Sequence, residues 1–280
     1  MIYKIYIDDI MKRIIRHSFA NFSILIYHVC YGIRWNFNQG SGSEPNTYEG
    51  DHMIEMHDVY KVYSNGVKAL NGITVKIDQG DFVYVVGPSG AGKSTFIKLM
   101  YREVSPTHGV ILINGVNVKR VRDWKIPYLR RRIGVVFQDY KLLPNMTAYE
   151  NVAFAMEAVE TPKRKIRRRV QEVLELVGLH DRMNALPTEL SGGEQQRVSI
   201  ARAMVNNPSF IIADEPTGNL DPENSWDIMY LLEEINSRGT TVVMATHNKE
   251  IVNTMRKRVI AVEQGVIVRD DHQGEYGYED

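Results

Sequence analysis

One glycine-rich run constrains this chain more than any other feature. The run GPSGAGKS occupies residues 87–94, follows the apolar segment Phe82–Val86 and precedes the helix-like segment Thr95–Met100. A turn of this kind between a strand and a helix directs backbone N–H groups and the positive end of the helix toward one centre, which favours a bound polyphosphate. The spacing GxxxxGK[ST] in this setting predicts a nucleotide site. A solvated turn is the alternative, and the flanking strand and helix argue against it.

The two residues that close this run have separate expected roles. Lys93 reaches the β- and γ-phosphates of a nucleoside triphosphate, and the Ser94 hydroxyl is an oxygen ligand for Mg²⁺. The residues predicted to bind the nucleotide in this region are Gly87, Ser89, Gly90, Gly92, Lys93, Ser94 and Thr95.

The composition is that of a globular chain without a charge bias. The 280 residues suffice for one or two domains, and 44% are hydrophobic and 24% charged. Basic and acidic residues number 34 each, which argues against a nucleic-acid partner because such proteins usually carry a basic excess. Cys30 is the single cysteine, so no disulfide forms within the chain, and no apolar run is long enough to span a bilayer.

Residues 1–52 differ from the rest of the chain and end in a loop-like run at residues 38–46. They fit a signal peptide, an amphipathic segment at a membrane surface, or a poorly ordered extension that reflects an early start codon. The extension is favoured, because polar residues interrupt the apolar stretch and Met53 opens the first regular strand pattern. Residues 1–52 and 53–280 are therefore predicted to be separate units.

From Met53 onward the pattern is that of an α/β protein, with several continuous apolar runs as expected for strands buried on both faces. The predicted strands are Ile54–Val59, Ile73–Ile77, Phe82–Val86, Val110–Ile113, Ile133–Phe137, Phe210–Ala213, Thr241–Ala245 and Arg258–Val262, with a hairpin turn at 263–265. A helical region follows residue 145, in which Lys163–Gly178 has one apolar face and a glycine suited to the C-cap. The basic residues that open this helix are interpreted as a solvated face rather than as a lipid or nucleic-acid contact.

A second run, Phe210–Glu215, ends a predicted buried strand in two carboxylates. In nucleoside triphosphatases with a glycine-rich loop, an aspartate at a strand end helps to hold Mg²⁺, and this role is predicted for Asp214. Glu215 lies one residue further on, where a base is able to orient the attacking water. Many strands end in acids, so this prediction depends on the accompanying glycine-rich loop.

A third run, LSGGEQQR at residues 190–197, predicts the start of a helix. Ser191 is the expected N-cap, and Glu194 completes a capping box three residues later. Gly192 and Gly193 leave the N–H groups of the first turn accessible, so this helix N-terminus is able to face an anion. A plain capped helix is the alternative.

The three runs resemble the motifs of the ATP-binding-cassette (ABC) ATPases. Residues 87–94 are similar to the Walker A loop of that family, Phe210–Asp214 to its Walker B strand, and Leu190–Arg197 to its signature motif, with Glu194 where glutamine is commonest. The resemblance covers residues 53–275. It implies an α/β fold with a P-loop NTPase core on a mostly parallel sheet, an antiparallel β subdomain and an inserted α-helical subdomain at residues 140–190.

The same resemblance implies roles for residues outside the three runs. Glu215 matches the catalytic glutamate, Gln138 the glutamine that senses Mg²⁺ and the γ-phosphate, and His247 the switch histidine. Tyr63 matches the aromatic residue that stacks on adenine, although an aromatic side chain there is also consistent with core packing. Residues 219–221 resemble the D-loop. The implied ligands are ATP and Mg²⁺, with the metal held by Ser94, Gln138 and Asp214.

The family also implies an ATPase that works as a homodimer. The Walker A loop of one protomer and Ser191, Gly192 and Gly193 of the other would enclose each ATP, so the two protomers should be related by symmetry. The expected reaction is hydrolysis of ATP to ADP and phosphate.

A closer resemblance is to the FtsE family of bacterial cell-division ATPases. It is carried by Val135–Pro144, Leu99–Glu103 and the C-terminal residues 268–270 and 274–277. It implies a peripheral protein at the cytoplasmic face of the membrane, an FtsX-like integral membrane partner and a role in controlling cell-wall hydrolysis. The extension at residues 1–52 has no counterpart in that family.

The expected docking surface for the partner lies at residues 138–150. Its apolar residues form either a receiving groove or packed core, and they are Leu142, Leu143, Pro144, Met146 and Tyr149. Other functions stay open, namely an ATPase of a transporter or lipoprotein-release system, and a scaffold that binds ATP. A GTPase is disfavoured, because the run Asn248–Ile251 lacks the aspartate that reads guanine.

Overall fold

A computed structural model describes residues 52–277, so the predictions for residues 1–51 lie outside the described part of the chain. The strands are β1 Ile54–Val62, β2 Lys68–Ile77, β3 Phe82–Val86, β4 His108–Ile113, β5 Val116–Asn117, β6 Ile133–Val136, β7 Phe210–Asp214, β8 Thr241–Ala245, β9 Arg258–Glu263 and β10 Val266–Asp271. The helices are α1 Lys93–Met100, α2 Ile126–Arg130, α3 Ala148–Glu157, α4 Lys163–Leu176, α5 Gly192–Met204, α6 Pro222–Ser237 and α7 Lys249–Met255. Short 3-10 turns cover Asp123–Lys125, His180–Arg182 and Pro187–Glu189.

The strands form two sheets. The larger has the order β10-β9-β3-β8-β7-β6 and is parallel except for β10, which pairs antiparallel with β9. Every residue of β3 and β8 is buried, as their continuous apolar runs predict. The smaller sheet, β2-β1-β4-β5, is antiparallel. The predicted α/β fold with a mostly parallel sheet and an antiparallel β subdomain is confirmed.

Two apolar cores lie on opposite faces of the larger sheet, and β3 contributes to both because successive side chains of a strand alternate in direction. Phe82, Tyr84 and Val86 pack in the core formed with helices α3 to α7. Val83 and Val85 pack in the core formed with α1 and the smaller sheet. With both faces covered, the loops at the carboxyl ends of the strands are left to form a site.

The helical region contains α3, α4 and two 3-10 turns. Helix α4 buries one face, formed by Ile166, Val170, Val173 and Leu174. Gly178 follows it with a φ of 71°. The Gly178 N–H donates to the Glu175 carbonyl at 2.9 Å and the Leu179 N–H donates to the Leu174 carbonyl at 2.8 Å, which is a Schellman cap. The predicted C-cap glycine is confirmed.

In the segment after β6, the structure shows whether two of the apolar residues line a groove or belong to the core. Leu142 and Leu143 are each 8% exposed, and Leu142 belongs to the core beneath the helices. The buried Asn151 amide accepts from the Leu143 N–H at 2.7 Å and donates to the Leu143 carbonyl at 3.1 Å. These two leucines are packed core, whereas Pro144 is exposed. Between residues 52 and 277, no helix is both long and apolar enough to cross a membrane.

Candidate nucleotide-binding site

The parallel strand order brings the sequence motifs to one edge of the larger sheet. Strands β3, β8, β7 and β6 are consecutive neighbours and point the same way. The residues that follow their carboxyl ends are the glycine-rich loop, His247, the Asp214–Glu215 pair and Gln138. In open parallel sheets this edge is where ligands bind.

The glycine-rich loop needs glycine at two of its positions for steric reasons. Gly87 has a φ of 144°, and a Cβ there would lie 2.1 Å from the Val262 carbonyl oxygen. Gly92 has a φ of 111°, and a Cβ there would lie 2.5 Å from the Ala69 carbonyl oxygen. The loop is therefore fixed against both sheets, and α1 begins directly after it.

The Lys93 ammonium group lies across this loop. Its Nζ donates to the carbonyl oxygens of Gly87 at 2.7 Å and Pro88 at 3.0 Å. Burial lowers the pKa of Lys93, and the carboxylates of Glu215 and Asp214 act in the opposite direction. A cation held at the mouth of a loop of N–H groups suits a polyphosphate anion.

Asp214 and Ser94 form a small group of oxygens beside Lys93. The Ser94 hydroxyl donates to the Asp214 carboxylate. Burial raises the pKa of Asp214, and the adjacent Glu215 carboxylate adds to this rise. Oxygen ligands of this kind fit Mg²⁺, which ATPases hold through one or two carboxylates together with substrate phosphates. No cluster of three or more His, Cys, Asp or Glu side chains suited to a metal occurs within residues 52–277.

Glu215 and His247 meet because β7 and β8 are paired in register. The Glu215 N–H donates to the Ala245 carbonyl at 2.9 Å, and Glu215 has a φ of 51°. Nδ1 of His247 contacts the Glu215 carboxylate, and the His247 side chain is 67% exposed whereas that of Glu215 is 19% exposed. A cleft of about 210 Å³ opens beside them, lined also by Thr217, Gly218 and Trp226. The carboxylate is thus sheltered and faces a space that water is able to enter.

Gln138 is held by a residue from the D-loop-like run. The Asn219 Nδ2 donates to the Gln138 carbonyl at 3.1 Å, and the Gln138 Nε2 lies 3.5 Å from Asn219 Oδ1. Gly218 packs against the same amide, because a Cβ there would lie 3.0 Å from Gln138 Nε2. The loops after β6 and β7 are therefore coupled directly.

Tyr63 lies beside the start of α1. Its phenol oxygen is 3.1 Å from Thr95 Oγ1, and Lys61 Nζ is 5.1 Å from the centre of its ring. The ring is half-buried in the loop between β1 and β2. This position next to the glycine-rich loop is compatible with the predicted contact to a base.

Ser191 caps α5 as the sequence predicts. The Ser191 hydroxyl accepts from the Glu194 N–H, and Glu194 Oε2 accepts from the Ser191 N–H at 2.8 Å. This backbone hydrogen bond lowers the pKa of Glu194, and Arg182 acts in the same direction. Ser191 is exposed, and a hydrogen bond from its hydroxyl to the Glu194 carboxylate also lowers the pKa of Glu194.

The signature-like run does not join the rest of the site within this chain. Helix α5 packs against α3, α4, α6 and β6. In the described residues 52–277, no hydrogen bond links Ser191, Gly192 or Gly193 to the glycine-rich loop. Within one chain, the motifs along the edge of the larger sheet thus form one group, and the signature-like run at the start of α5 lies apart from them.

Sequence reasoning missed two residues that support these loops. The buried Gln196 donates to the Pro216 carbonyl at 2.6 Å, which links α5 to the loop after β7. Tyr276 is buried near the C-terminal end, and a hydrogen bond from the Gly87 N–H opposes the rise that burial causes in its pKa. Gln196 lies inside the signature-like run, which was a usable signal. Nothing local to Tyr276 indicates that it reaches the glycine-rich loop.

The strand order and the loop define a P-loop ATPase with an inserted helical region. Comparison with known proteins agrees with this class. The family described as ABC transporter matches residues 70–218. The cell division ATP-binding protein FtsE of Bacillus subtilis is 66% identical over 225 residues, which cover 80% of this chain and 99% of that protein. FtsE of Streptococcus pneumoniae (serotype 2) is 60% identical over 228 residues, which cover 81% of this chain and 99% of that protein.

A solved structure shows the same fold. The ATP-binding cassette MJ0796, described as a dimer in a post-hydrolysis state bound to ADP and Pi, superposes with a TM-score of 0.72 at 35% identity, covering 79% of this chain and 99% of that one. The chain belongs to the ABC ATPases and, within them, to the FtsE family. It binds ATP and is an ATPase.

Proposed function

We propose that this chain is the ATP-hydrolysing subunit of a membrane complex in bacterial cell division. In this proposal ATP binding and hydrolysis act on an FtsX-like integral membrane partner that controls cell-wall hydrolysis, and the chain is peripheral at the cytoplasmic face. The observation that carries the ATPase part is the alignment of Lys93, Asp214, Glu215 and His247 along one sheet edge. The cell-division part is supported by relatives named cell division ATP-binding proteins.

The reaction is hydrolysis of the terminal phosphoanhydride bond. Water attacks the γ-phosphorus, the bond from that phosphorus to the β–γ bridging oxygen breaks, and ADP and inorganic phosphate leave. Lys93 and the loop N–H groups hold the phosphates in place, and Tyr63 stacks on the adenine. Ser94, Asp214 and Gln138 would hold Mg²⁺, which would supply charge neutralisation on the phosphate oxygens.

Glu215 orients and polarises the attacking water. Its carboxylate is sheltered, faces the cleft and contacts His247, so its direction is fixed by a second residue. His247 holds the γ-phosphate and the water in line. Phosphoryl transfer depends mainly on such positioning and on electrostatic stabilisation.

The complete site needs two copies of the chain. Ser191 is exposed and is not linked to the glycine-rich loop of its own chain. The similar cassette MJ0796 is described as a dimer with ADP and Pi. In the proposed dimer, Ser191, Gly192 and Gly193 of one protomer close over the γ-phosphate bound by the other. Hydrolysis removes this shared contact and loosens the dimer.

The variant Glu215→Gln tests the role of the glutamate. The amide keeps the size of the side chain but cannot polarise water as a carboxylate does, so ATP binding is retained while hydrolysis falls by about 10²–10⁴-fold. Light scattering after size-exclusion chromatography in ATP should show a trapped dimer. If the variant and the wild-type chain both stay monomeric with ATP at every concentration, the shared site is wrong.

The signature-like run is tested by Ser191→Ala with Thr147→Ala as a matched control. Both residues are N-caps in complete capping boxes, on α5 and α3 respectively, so each variant loses about 1 kcal/mol of stability. Only Ser191→Ala should also lose ATPase activity, measured as phosphate release per chain. An equal loss of ATPase activity in the two variants would indicate that Ser191 acts only as a structural cap.

A mixing experiment tests whether the two half-sites come from different chains. Lys93→Ala and Ser191→Ala are each expected to be inactive, but a mixed dimer places both changes in one site and leaves the other intact. Random mixing should therefore recover up to about a quarter of the wild-type activity. No recovery in a sample shown to contain mixed dimers would contradict the arrangement.

Co-purification from bacterial membranes tests the partner. The expected result is an FtsX-like membrane protein bound to the chain, identified by mass spectrometry. Recovery of transporter or lipoprotein-release subunits instead would reject the cell-division assignment while leaving the ATPase assignment intact.

A further inference from the structure

One surface segment combines positive charge with exposed aromatic rings. We call residues 119–132 the basic aromatic patch. It contains seven Lys or Arg residues and one acidic residue, in a chain with 34 residues of each sign. The nucleotide site does not use it, and it lies outside the sequence motifs described above.

The patch has an exposed face of amphipathic side chains. Trp124 is 54% exposed and Tyr128 is 50% exposed. Lys125 Nζ lies 5.1 Å from the centre of the Trp124 ring, and Arg131 Cζ lies 4.5 Å from that of Tyr128. The exposed cations of the patch are Lys119, Arg120, Arg122, Lys125 and Arg132, and Arg131 is partly buried. Two large rings are thus presented to solvent among guanidinium and ammonium groups.

This face is supported from beneath, so its shape is fixed. Pro127 is buried at the start of α2. Arg130 donates from Nε to the Tyr101 carbonyl at 3.0 Å and from Nη2 to the Arg102 carbonyl at 2.9 Å. Helix α2 is therefore anchored to the end of α1 while Trp124 and Tyr128 stay exposed.

The patch lies at the end of the larger sheet opposite the nucleotide site. It leads directly into β6 at Ile133, and the Arg132 carbonyl accepts from the Ser209 N–H just before β7 begins. These are the amino ends of strands whose carboxyl ends carry Gln138 and Asp214. A large surface bound at the patch leaves the nucleotide site accessible.

We propose that the basic aromatic patch binds directly to the surface of a bilayer that contains anionic phospholipid. Clustered Lys and Arg side chains attract anionic headgroups, at about 1 kcal/mol for each charge near the surface. Indole and phenol rings have an apolar body and a polar edge, and they insert at the boundary between headgroups and acyl chains. The patch exposes both kinds of group within one short segment, with a cation beside each ring, which fits an extended charged surface.

The chain contains a second basic run that provides an internal comparison. Helix α4 begins with Lys163, Arg164 and Lys165 and continues with three arginines, of which Arg168 and Arg169 pair with Glu172. No large apolar side chain of α4 is strongly exposed. It has the charge of the patch without the rings, and part of that charge is already neutralised.

The test is flotation of the purified full-length chain with vesicles, without nucleotide and without any membrane partner. Vesicles of phosphatidylcholine alone are compared with vesicles that also contain phosphatidylglycerol. We expect binding only with phosphatidylglycerol, weakened by salt. The triple variant Arg120→Gln, Arg122→Gln, Lys125→Gln should lose about 100-fold in affinity, or about fivefold for each charge. The affinity of Trp124→Ala for these vesicles should fall about threefold or more, whereas Trp124→Phe should retain most of the affinity.

The matched control is Arg164→Gln, Lys165→Gln, Arg167→Gln, which removes three exposed charges from α4. A change of less than about threefold in this control supports the proposal. The proposal would be overturned if the control lost as much vesicle affinity as the patch variant. It would also be overturned if the patch variant bound vesicles as tightly as the wild type. Binding to duplex DNA that is as tight as binding to vesicles and independent of Trp124 would also overturn it. Circular dichroism and ATPase assays confirm that each variant is folded, and the ATPase result tests the proposed function separately.

Discussion

At the scale of single residues, Glu157 and Glu194 show how local surroundings change the effect of the same carboxylate. Glu157 is the last residue of α3, and burial raises its pKa. The positive charge of Lys163 opposes this rise, and the negative charge of Glu150 adds to it. Glu194 is in the first turn of α5, where the Ser191 N–H lowers its pKa. Ionisation therefore opposes folding at Glu157 and favours it at Glu194.

Replacing each glutamate by glutamine should change stability in opposite directions. Glu157→Gln should raise Tm at pH 7 by about 1–3 °C, which corresponds to roughly 0.5–1 kcal/mol. Glu194→Gln should lower it. The folded pKa of Glu157 is raised, so wild-type stability falls as the pH rises from about 4.3 through that pKa. The gain from Glu157→Gln should consequently vanish near pH 4, as followed by thermal unfolding without nucleotide. A pH-independent gain would contradict this account.

At the scale of single elements, caps decide where the helices begin and end. Capping boxes at Thr147 and Ser191 open α3 and α5, and the Schellman cap at Gly178 closes α4. The glycine at 178 is needed for its backbone conformation and not for space, since the nearest atom to a Cβ there is Arg197 Nη1 at 3.9 Å. The cost of a substitution at 178 is therefore mainly a backbone cost.

Gly178→Ala should destabilise the chain by about 1 kcal/mol and lower Tm by about 2–4 °C. Gly178→Asn should lose less, because asparagine adopts the left-handed conformation more readily. Differential scanning calorimetry of the two variants measures which of them has the larger fall in Tm. Equal losses, or a larger loss for asparagine, would indicate that contacts rather than backbone conformation decide the effect.

At the scale of the whole molecule, the β9–β10 hairpin connects the two sheets to the glycine-rich loop. The Gly265 N–H donates to the Ala91 carbonyl at 3.0 Å, and the Gly265 carbonyl accepts from the Asn71 N–H at 2.8 Å. At the other end of β9, the buried Arg258 makes a fork of two 2.8 Å hydrogen bonds with Asp270 and a third of 3.0 Å with Asp81. The hairpin is thereby fixed at both ends.

Arg258→Met should destabilise the chain by about 2–4 kcal/mol, because it leaves two partly buried carboxylates without their cation. The expected fall in Tm is about 4–12 °C. The Tm of Arg258→Lys should lie between that of Arg258→Met and that of the wild type, since lysine keeps the positive charge but its ammonium group cannot form the bidentate fork. Thermal unfolding of all three chains provides the measurement, and a methionine variant within about 1 °C of the wild type would refute a structural role for this network.

Much of the fold was accessible from the sequence where patterns are local. Strands β3 and β8 have the predicted bounds, because continuous apolar runs mark strands buried on both faces. The prediction for β1 stopped at Val59, three residues before its end at Val62. The cause is an irregularity at Asp58, whose φ of 49° breaks the alternation of the strand. Helix α2, which lies within the basic aromatic patch, was not predicted, since five residues are too few for a helical period.

By itself the sequence determined the chemistry of the glycine-rich loop, the two carboxylates after β7 and the cap at Ser191, because each depends on residues close together in the chain. Only the tertiary structure decided that Tyr276 reaches Gly87, that Asn219 holds Gln138 and that Ser191 lies apart from the loop of its own chain. Such contacts follow from the order of parallel strands and from packing between distant segments, and neither is encoded in a short window of residues.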